Sequence, residues 1–370
     1  MSRTRPPFRA DHVGSLLRPA ALKDAREKLS RGALDEAASK DIEDREIERL
    51  IAKQEAIGLK SVTDGEYRRA SWQTDFLKAL DGIETKLGDR KIRFQGGVQP
   101  KQWVSTVKEK LGRYTGHPMI AHYRFLAEHT KATAKFTIPS PSALHFRQGR
   151  EAVPESIYPD MADFYGDLGT LYSKVVRDFA DAGCRYLQLD EVNLAYLCDP
   201  TLREHIHARG DDPETLPLTY AGMINAAISN IPSDMTITMH LCRGNFRSTF
   251  VASGGYDPIA EMLFNTINVH GYFMEYDSER AGGFAPLRFL PKGKTVVLGL
   301  VTSKTGTLES KDTIRRRIDE AAKFAPLDQL ALSPQCGFAS TEEGNVLAED
   351  EQWAKLRMIV EIADEIWGNA

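Results

Sequence analysis

Residues 235–242 read Met-Thr-Ile-Thr-Met-His-Leu-Cys, a largely apolar run that ends in a histidine and a cysteine two positions apart. The pattern is typical of a β-strand, in which side chains at positions i and i+2 lie on the same face. His240 and Cys242 can therefore direct an imidazole and a thiolate to one point, and this pair of ligands suits zinc. The simpler interpretation, that both residues fill a buried strand end, stays open at this point.

Two later runs end in groups that complete a ligand set. Glu275 follows the apolar run 271–274, and Cys336 follows the run 329–333. One histidine, two cysteines and one glutamate supply the donor atoms and the number of ligands that tetrahedral zinc takes. Such groups at three strand ends favour a metal site over simple packing. The sequence therefore predicts Zn2+ bound by His240, Cys242, Glu275 and Cys336.

The rhythm along the chain predicts eight strands, most of them separated by one helical pattern. The predicted strands cover residues 8–15, 61–63, 136–138, 186–191, 235–240, 271–274, 295–301 and 329–333. Helical patterns cover residues 20–57, 161–182, 217–230, 258–264, 310–324 and 349–367. This alternation predicts an α/β fold, a (β/α)8 TIM barrel. An open doubly wound sheet is the main rival, but no Gly-x-Gly-x-x-Gly turn follows the first predicted strand.

One long segment breaks this rhythm. Residues 67–135 follow the second predicted strand as an insertion, with a predicted hairpin around 91–107 and a helical piece over 119–128. Because the insertion starts at the carboxyl end of a barrel strand, we expect it to cap the barrel mouth. Residues 1–370 are otherwise predicted to form a single catalytic barrel domain.

Chemistry in such barrels takes place at the carboxyl ends of the strands. The candidate residues fall there, although they are widely separated in sequence. They are Ser15, Glu66, Asp190, His240, Cys242, Glu275 and Cys336. This convergence is difficult to obtain from packing alone, because a buried polar group without a partner costs about 1–3 kcal/mol.

Composition excludes several functional classes. The chain has 370 residues, a net charge of −4 and a pI near 6.2, so nothing in its charge favours nucleic acid or an anionic membrane. No apolar run approaches the roughly 18 to 20 residues of a membrane span, and the N-terminal Met-Ser-Arg-Thr-Arg-Pro-Pro lacks the apolar core of a signal peptide. Four cysteines in so long a chain do not make a disulfide framework. We therefore expect a cytoplasmic protein whose thiolates stay available for metal.

The predicted ligand set also indicates a reaction. A carboxylate is the weakest zinc partner beside two thiolates, so Glu275 is the ligand expected to yield to an incoming thiol. A metal-bound thiol loses its proton because the cation stabilises the thiolate. This gives a nucleophile at neutral pH from a group whose free pKa is about 8.5. The implied reaction is alkyl transfer to sulfur.

At these residues the sequence resembles the cobalamin-independent methionine synthase family, specifically its C-terminal catalytic barrel. The matching pieces agree in order and placement over nearly the whole chain. They are His12-Val13-Gly14-Ser15, Asp64-Gly65-Glu66, Gln188-Leu189-Asp190-Glu191, His240-Leu241-Cys242, Glu275 and Pro334-Gln335-Cys336-Gly337. The resemblance implies the same four zinc ligands. It also implies that Asp190 holds the amino group of homocysteine, while Glu66 and the Ser15 region line the same pocket.

Departures from the family pattern concern mainly the methyl donor. The full-length enzymes carry an additional N-terminal barrel, and this chain resembles the stand-alone core proteins. Where the family has an Asp-x-His acid after the seventh strand, residues 299–304 contain no histidine, and Lys304 is the predicted catalytic replacement. Where the family stacks the pterin on a tryptophan, residues 142–145 read Ser-Ala-Leu-His. The donor is therefore open between methylfolate, a methylated corrinoid protein, another methylated metabolite and an epoxide.

The favoured function is a zinc-dependent methyltransferase that acts on a small-molecule thiol, with homocysteine as acceptor and methionine as product. Zinc would activate the sulfur, Asp190 would orient the amino acid and Glu66 would bound the pocket, with His12 and His145 as further pocket residues. One alternative keeps the zinc–thiol step but uses another thiol, such as coenzyme M. A metal-free decarboxylase of the uroporphyrinogen-decarboxylase-like type and a non-catalytic zinc-binding protein are the alternatives from other classes.

Overall fold

A computed structural model describes residues 3–88, 94–97 and 103–368. Its centre is a curled sheet of seven parallel strands. The strands in the described ranges are β1 Ser61–Val62, β2 Ile83–Leu87, β3 Trp103–Val107, β4 Thr133–Pro139, β5 Tyr186–Glu191, β6 Thr236–Leu241, β7 Gly271–Glu275, β8 Thr295–Val301 and β9 Leu330–Pro334. The sheet order is β1-β4-β5-β6-β7-β8-β9, and β2 pairs with β3 in a separate antiparallel hairpin.

The N-terminal segment closes the barrel between β9 and β1. The N–H of Asp11 donates to Leu332 O at 3.0 Å, beside an isolated parallel bridge at Ala10. On the other side of the segment, Thr63 Oγ1 donates to Gly14 O at 2.6 Å, just beyond β1. The fold is therefore the predicted (β/α)8 TIM barrel, with this segment in the place of one strand.

Residues 8–15 were predicted to form a short strand followed by a turn, and the strand is wrong, because among the described residues the segment forms only that one bridge. The side chain of Asp11 provides the physical reason. One carboxylate oxygen accepts from the N–H of Phe8 at 3.2 Å, and the other accepts from the N–H of His12 at 2.8 Å. A side chain that takes backbone donors in this way competes with a regular strand ladder.

Helices surround the sheet. The α-helices in the described ranges are α1 Ala20–Ser30, α2 Glu36–Ala56, α3 Thr74–Leu77, α4 Met119–His129, α5 Met161–Asp181, α6 Asn193–Tyr196, α7 Pro200–Ala208, α8 Leu216–Ala227, α9 Asp257–Thr266, α10 Lys311–Ala321 and α11 Glu349–Trp367. The single helix predicted over residues 20–57 is wrong, because the chain turns between α1 and α2. Gly32 adopts φ of +70°, and Asp35 starts α2 by accepting from the N–H of Ala38 at 2.7 Å.

The insertion after β1 contains α3, the β2–β3 hairpin and α4. The hairpin starts at Ile83, which is earlier than the predicted range 91–107, and residues 91–93 and 98–102 of that range lie outside the described residues. Helix α4 agrees with the helical piece predicted over 119–128. It leads directly to β4, so α4 is the crossover helix between β1 and β4.

The barrel strands are buried along most of their length. Every residue of β5, β6, β7, β8 and β9 is buried, as expected for parallel strands that are covered on both faces. Val13, Phe273, Val297 and Ala331 form a small apolar cluster that is separate from the main core. Within the described ranges, no helix combines the length and apolarity that crossing a bilayer requires.

Candidate metal centre and adjoining pocket

Four potential metal ligands meet at the carboxyl ends of three strands. His240 lies near the end of β6 with Cys242 just beyond it, Glu275 ends β7, and Cys336 follows β9. One donor atom from each residue lies within 4.8 Å of the others, and all four side chains are buried. The structure thus brings together the four residues that the sequence indicated as ligands.

The two thiols lie close together in this cluster. Cys242 Sγ is 3.5 Å from Cys336 Sγ. The contact between the two sulfurs lowers the pKa of Cys336 well below its usual value and raises the pKa of Cys242. Two sulfurs on a tetrahedral zinc, each at about 2.3 Å, would lie about 3.8 Å apart. The spacing of the two sulfurs therefore fits such a centre.

His240 places its imidazole in the cluster. It is 2% exposed, yet neither ring nitrogen has a hydrogen-bond partner among the described residues. Burial lowers the pKa of His240, but its interaction with the Cys336 sulfur, together with the carboxylates of Asp190 and Glu275, outweighs burial and raises it. The same negative surroundings favour a metal cation at this place.

Two arginines orient the carboxylate of Glu275. Oε1 accepts from the N–H of Arg243 at 2.9 Å, and Oε2 accepts from the Arg280 guanidinium at 2.8 Å. Burial raises the pKa of Glu275, but Arg280 and Lys304 outweigh burial and lower it, so the carboxylate is ionised. Outer contacts of this kind orient a metal ligand. The donor set, the sulfur spacing and the unpartnered imidazole all fit zinc.

A cavity of about 490 Å³, which includes its opening to solvent, adjoins the cluster. Ser15, Glu66 and Asp190, three of the predicted substrate residues, lie in its wall. Burial raises the pKa of Asp190 to about 7, and the neighbouring Glu66 carboxylate adds to the effect. Gln188 Nε2 donates to Asp190 Oδ1 at 2.7 Å. The pocket therefore presents two carboxyl groups beside the cluster of four potential metal ligands.

Glu66 combines a strained backbone with an unpaired oxygen. Its φ is +60°, which is uncommon for a residue with a side chain. Oε1 accepts from Thr137 Oγ1 at 3.0 Å, whereas Oε2 is buried without a partner in the part of the chain that the structure describes. Strain and an unsatisfied buried atom at one residue are typical of a functional position.

Ser15 packs against the loop that carries Cys336. A Cβ built on Gly337 would lie 1.9 Å from Ser15 Oγ, so a larger residue at this position would displace the Ser15 hydroxyl. The N–H of Phe338 also donates to Ser15 O at 2.9 Å. The N-terminal segment and the metal-ligand loop are therefore held together.

Three other predicted site residues do not lie in the wall of this pocket. His145 Nδ1 is 2.8 Å from the hydroxyl of Tyr220, and its Nε2 is 3.2 Å from the hydroxyl of Tyr165. His12 is 1% exposed, and burial lowers its pKa to about 4. Lys304 Nζ donates to Asn245 Oδ1 at 3.1 Å. Of the three, Lys304 reaches the pocket indirectly, because Asn245 lies in its wall.

Asn245 joins three loops around the pocket. Its Nδ2 donates to Gly337 O at 2.9 Å and to Ser340 Oγ at 3.3 Å, while its Oδ1 accepts from Lys304. The loops that follow β6, β8 and β9 thus meet at one side-chain amide. This arrangement fixes the loop of Cys242 relative to the loop of Cys336.

The pocket wall also contains residues that the sequence pattern did not indicate. They include Arg147, Tyr196 and Asn245, together with Trp72 and Phe94 from the insertion. The positions of Trp72 and Phe94 depend on how the insertion folds. The insertion lacks the regular spacing of apolar residues from which its fold could be predicted. Arg147 follows β4 at a distance of eight residues, so a search for cations after strand ends could have found it.

A second cleft of about 770 Å³, a volume that includes open solvent, lies beside the first cavity and is called the outer cleft below. The two cavities share Trp72, Phe94, Arg147 and Asn245 in their walls. The outer cleft adds aromatic surface from Phe246, whose ring centroid is 5.7 Å from that of Phe94. A molecule in the outer cleft would therefore face the inner pocket across the four shared residues.

The barrel and the site at its mouth define a TIM-barrel enzyme, in which the loops after the strands build the active site. Residues 8–365 match the family described as cobalamin-independent synthase, catalytic domain, and the chain belongs to this family of methyltransferases.

Similar proteins support this assignment. Uncharacterized protein YxjH of Bacillus subtilis (strain 168) is 50% identical over 363 residues, which cover 98% of this chain and 95% of that protein. A solved structure from Listeria monocytogenes, described as a candidate vitamin-B12-independent methionine synthase, is 41% identical, has a TM-score of 0.80, and covers 99% of this chain and 100% of its own. A B12-independent methionine synthase from Shewanella sp. W3-18-1 in complex with selenomethionine shares the fold, with 18% identity, a TM-score of 0.71 and 97% of both chains covered.

Proposed function

We propose that the protein is a zinc-dependent S-methyltransferase that methylates the thiol of homocysteine to form methionine. The observation that carries the proposal is the position of the four-ligand cluster beside the pocket that Ser15, Glu66 and Asp190 line. Membership of the cobalamin-independent synthase family supports the same reaction.

The four clustered residues would hold the metal ion. His240, Cys242, Glu275 and Cys336 would bind zinc, which, when bound, lowers the pKa of a coordinated thiol and makes it nucleophilic at neutral pH. Arg280 keeps the Glu275 carboxylate ionised and oriented through its hydrogen bond to Oε2. Burial of all four side chains keeps bulk water away from the reacting sulfur.

Asp190 and Glu66 would bind the ammonium group of the amino acid. The unpaired Glu66 Oε2 and the Asp190 carboxyl group are acceptors in the pocket wall. An ammonium ion beside Asp190 would lower its pKa from about 7, so substrate binding favours the ionised carboxylate. This contact would orient the substrate with its sulfur toward the ligand cluster.

The methyl donor would approach from the outer cleft. That cleft meets the inner pocket at Trp72, Phe94, Arg147 and Asn245, and the insertion that supplies Trp72 and Phe94 would cap the mouth. We propose methylfolate as this donor and keep a methylated corrinoid protein as the alternative that the test below separates.

The test is methionine formation from homocysteine, with methylfolate and methylcobalamin compared as donors. We expect about one zinc ion per chain, as in a single four-ligand site, and activity that disappears on Cys336→Ser. Coenzyme M in place of homocysteine is the matched acceptor control. Full activity after exhaustive chelation, or a preference for coenzyme M, would contradict the proposal.

A further inference from the structure

A buried tyrosine lies where two of the strands that carry the clustered ligands stop pairing. The pairing of β6 with β7 ends at Leu241 and Met274. Cys242 and Glu275 are the residues that follow along the chain. The N–H of Glu275 donates to the hydroxyl of Tyr256 at 3.0 Å, and the same hydroxyl oxygen lies 3.4 Å from Leu241 O. Tyr256 therefore contacts the backbone of both strands at the point from which two of the four ligands extend.

The ring of the same tyrosine supports a second contact to Glu275. The guanidinium carbon of Arg243 lies 4.3 Å from the centre of the Tyr256 ring, which is within the range of a cation–π interaction. Arg243 is fully buried, and none of its side-chain nitrogens has a hydrogen-bond partner among the described residues. Because the backbone N–H of Arg243 donates to Glu275 Oε1 at 2.9 Å, the stacked ring also steadies a donor on which this carboxylate depends.

Both contacts lie outside the space that a substrate would occupy. Tyr256 is fully buried and does not lie in the wall of the inner pocket. Its hydroxyl binds the backbone of one ligand residue, and its ring packs on the residue that follows another. Outer contacts of this kind orient metal ligands, and their removal typically lowers metal affinity roughly 10- to 100-fold.

We infer that Tyr256 is a positioning residue of the metal centre and that its hydroxyl acts through the backbone of Glu275. The hydroxyl fixes the N–H of Glu275, so the carboxylate extends into the cluster from one backbone position. Less conformational entropy is then lost when this carboxylate binds the ion. The inference rests on the zinc site of the proposed function and is independent of the thiol and of the methyl donor.

Tyr272 provides a matched comparison within the same strand. It is also fully buried and lies on β7, three residues before Glu275. Its hydroxyl donates to Leu263 O at 2.9 Å and lies 3.1 Å from Ile267 O, at the carboxyl end of α9. Tyr256→Phe and Tyr272→Phe therefore each remove one buried hydroxyl. Of these two changes, only Tyr256→Phe removes a contact with a residue of the ligand cluster.

The experiment measures the dissociation constant of the full chain for zinc by competition with a chelator, with no thiol and no methyl donor present. We expect the constant to rise roughly 10- to 100-fold in Tyr256→Phe and to keep its wild-type value in Tyr272→Phe. The visible absorption bands of bound Co2+, which report the coordination geometry, are expected to change in Tyr256→Phe alone. Urea unfolding of the metal-free proteins identifies any loss of stability that the two variants share.

A second background tests whether the hydroxyl acts through Glu275. Glu275→Ala keeps the backbone N–H that donates to Tyr256 but removes the carboxylate from the metal site. Adding Tyr256→Phe to Glu275→Ala is expected to cause no further loss of zinc affinity, because both changes affect the same ligand. The double variant is compared with Glu275→Ala in the same competition measurement.

The outcomes separate the inference from the proposed function. Wild-type zinc affinity in Tyr256→Phe would overturn the inference, and so would an equal loss of affinity in the two tyrosine variants. A full effect of Tyr256→Phe in the Glu275→Ala background would overturn it as well. If the wild-type chain binds no zinc, the metal site of the proposed function fails and the inference fails with it. Failure of a zinc-binding chain to form methionine contradicts the proposed function alone, because the competition measurement contains no substrate.

Discussion

Two clusters of buried charge lie in the same barrel, and they differ in how their hydrogen bonds are completed. Nearer the amino ends of the strands, Asp11 Oδ1 lies 3.2 Å from Lys135 Nζ and accepts from Ser61 Oγ at 3.0 Å. Asp11 Oδ2 accepts from the hydroxyl of Tyr186 at 2.8 Å. Each oxygen of this carboxylate thus has protein donors, and the charge of Lys135 is paired.

The cluster at the carboxyl ends is incomplete. In the described part of the chain, both ring nitrogens of His240, Glu66 Oε2 and Gln188 Oε1 are buried without a partner. Unsatisfied buried groups cost free energy, and a bound ligand can supply the missing partners. The comparison separates charges that stabilise the barrel from charges that are available to a metal ion and a substrate.

The largest expected effect comes from removing a ligand at the mouth. Cys336→Ser should lower methyl transfer by roughly 10³-fold or more, because a catalytic metal supplies several kcal/mol of stabilisation. Metal content after dialysis, measured by mass spectrometry, should fall in parallel. Cys184→Ser is the control, because Cys184 is buried outside the cluster. Retention of metal by Cys336→Ser would contradict the assignment of this ligand.

A change in the completed cluster should instead alter stability. Asp11→Asn leaves Lys135 buried without an ionised partner, and breaking a buried ion pair costs about 3–5 kcal/mol. Urea unfolding should show this loss. The metal content per folded chain should stay the same. A loss of metal without a loss of stability would show that the Asp11 cluster does not have the purely structural role assigned to it.

His145 should affect stability through pH. Burial lowers its pKa from 6.5 to about 4, so the folded protein binds this proton more weakly than the unfolded chain does. This difference stabilises the folded protein at pH values above the pKa of His145 in the unfolded chain. The stabilisation is lost as the pH falls toward the pKa of His145 in the folded protein, and the loss is at most about 3 kcal/mol. The free energy of unfolding from pH 7 to 4 should therefore fall less steeply in His145→Gln. Equal slopes would show that His145 is not held neutral by burial.

A smaller effect is expected for the substrate contact at the mouth. Asp190→Asn should raise the KM for homocysteine roughly tenfold or more, the value of one charge-assisted hydrogen bond. Metal content should not change, because Asp190 is not among the clustered ligands. Asp234→Asn, which lies at the surface before β6, is the matched control. An unchanged KM would exclude Asp190 from substrate binding.

The sequence was most informative where local geometry determines position. Strand alternation puts His240 and Cys242 at one point, and barrel topology brings Glu275 and Cys336 to the same edge. The pocket residues of the insertion could not be predicted in this way. Trp72 lies in the cavity wall because of how a long loop folds onto the barrel, and strand alternation says nothing about that. The strand expected near Asp11 does not form, because the Asp11 carboxylate accepts hydrogen bonds from the backbone N–H groups of the same segment.

The hydrogen bonds of Asn245 have a consequence for the uptake of metal. Its amide ties the loop of Cys242 to that of Cys336 through Gly337 O, and Lys304 holds the opposite end of the same amide. The two loops are therefore ordered when the chain folds, and little conformational entropy remains to be lost when the metal ion binds. We expect the apo and holo forms to have nearly the same backbone conformation. The rate of metal binding should then depend on access of the ion to the ligand cluster and on deprotonation of the thiols.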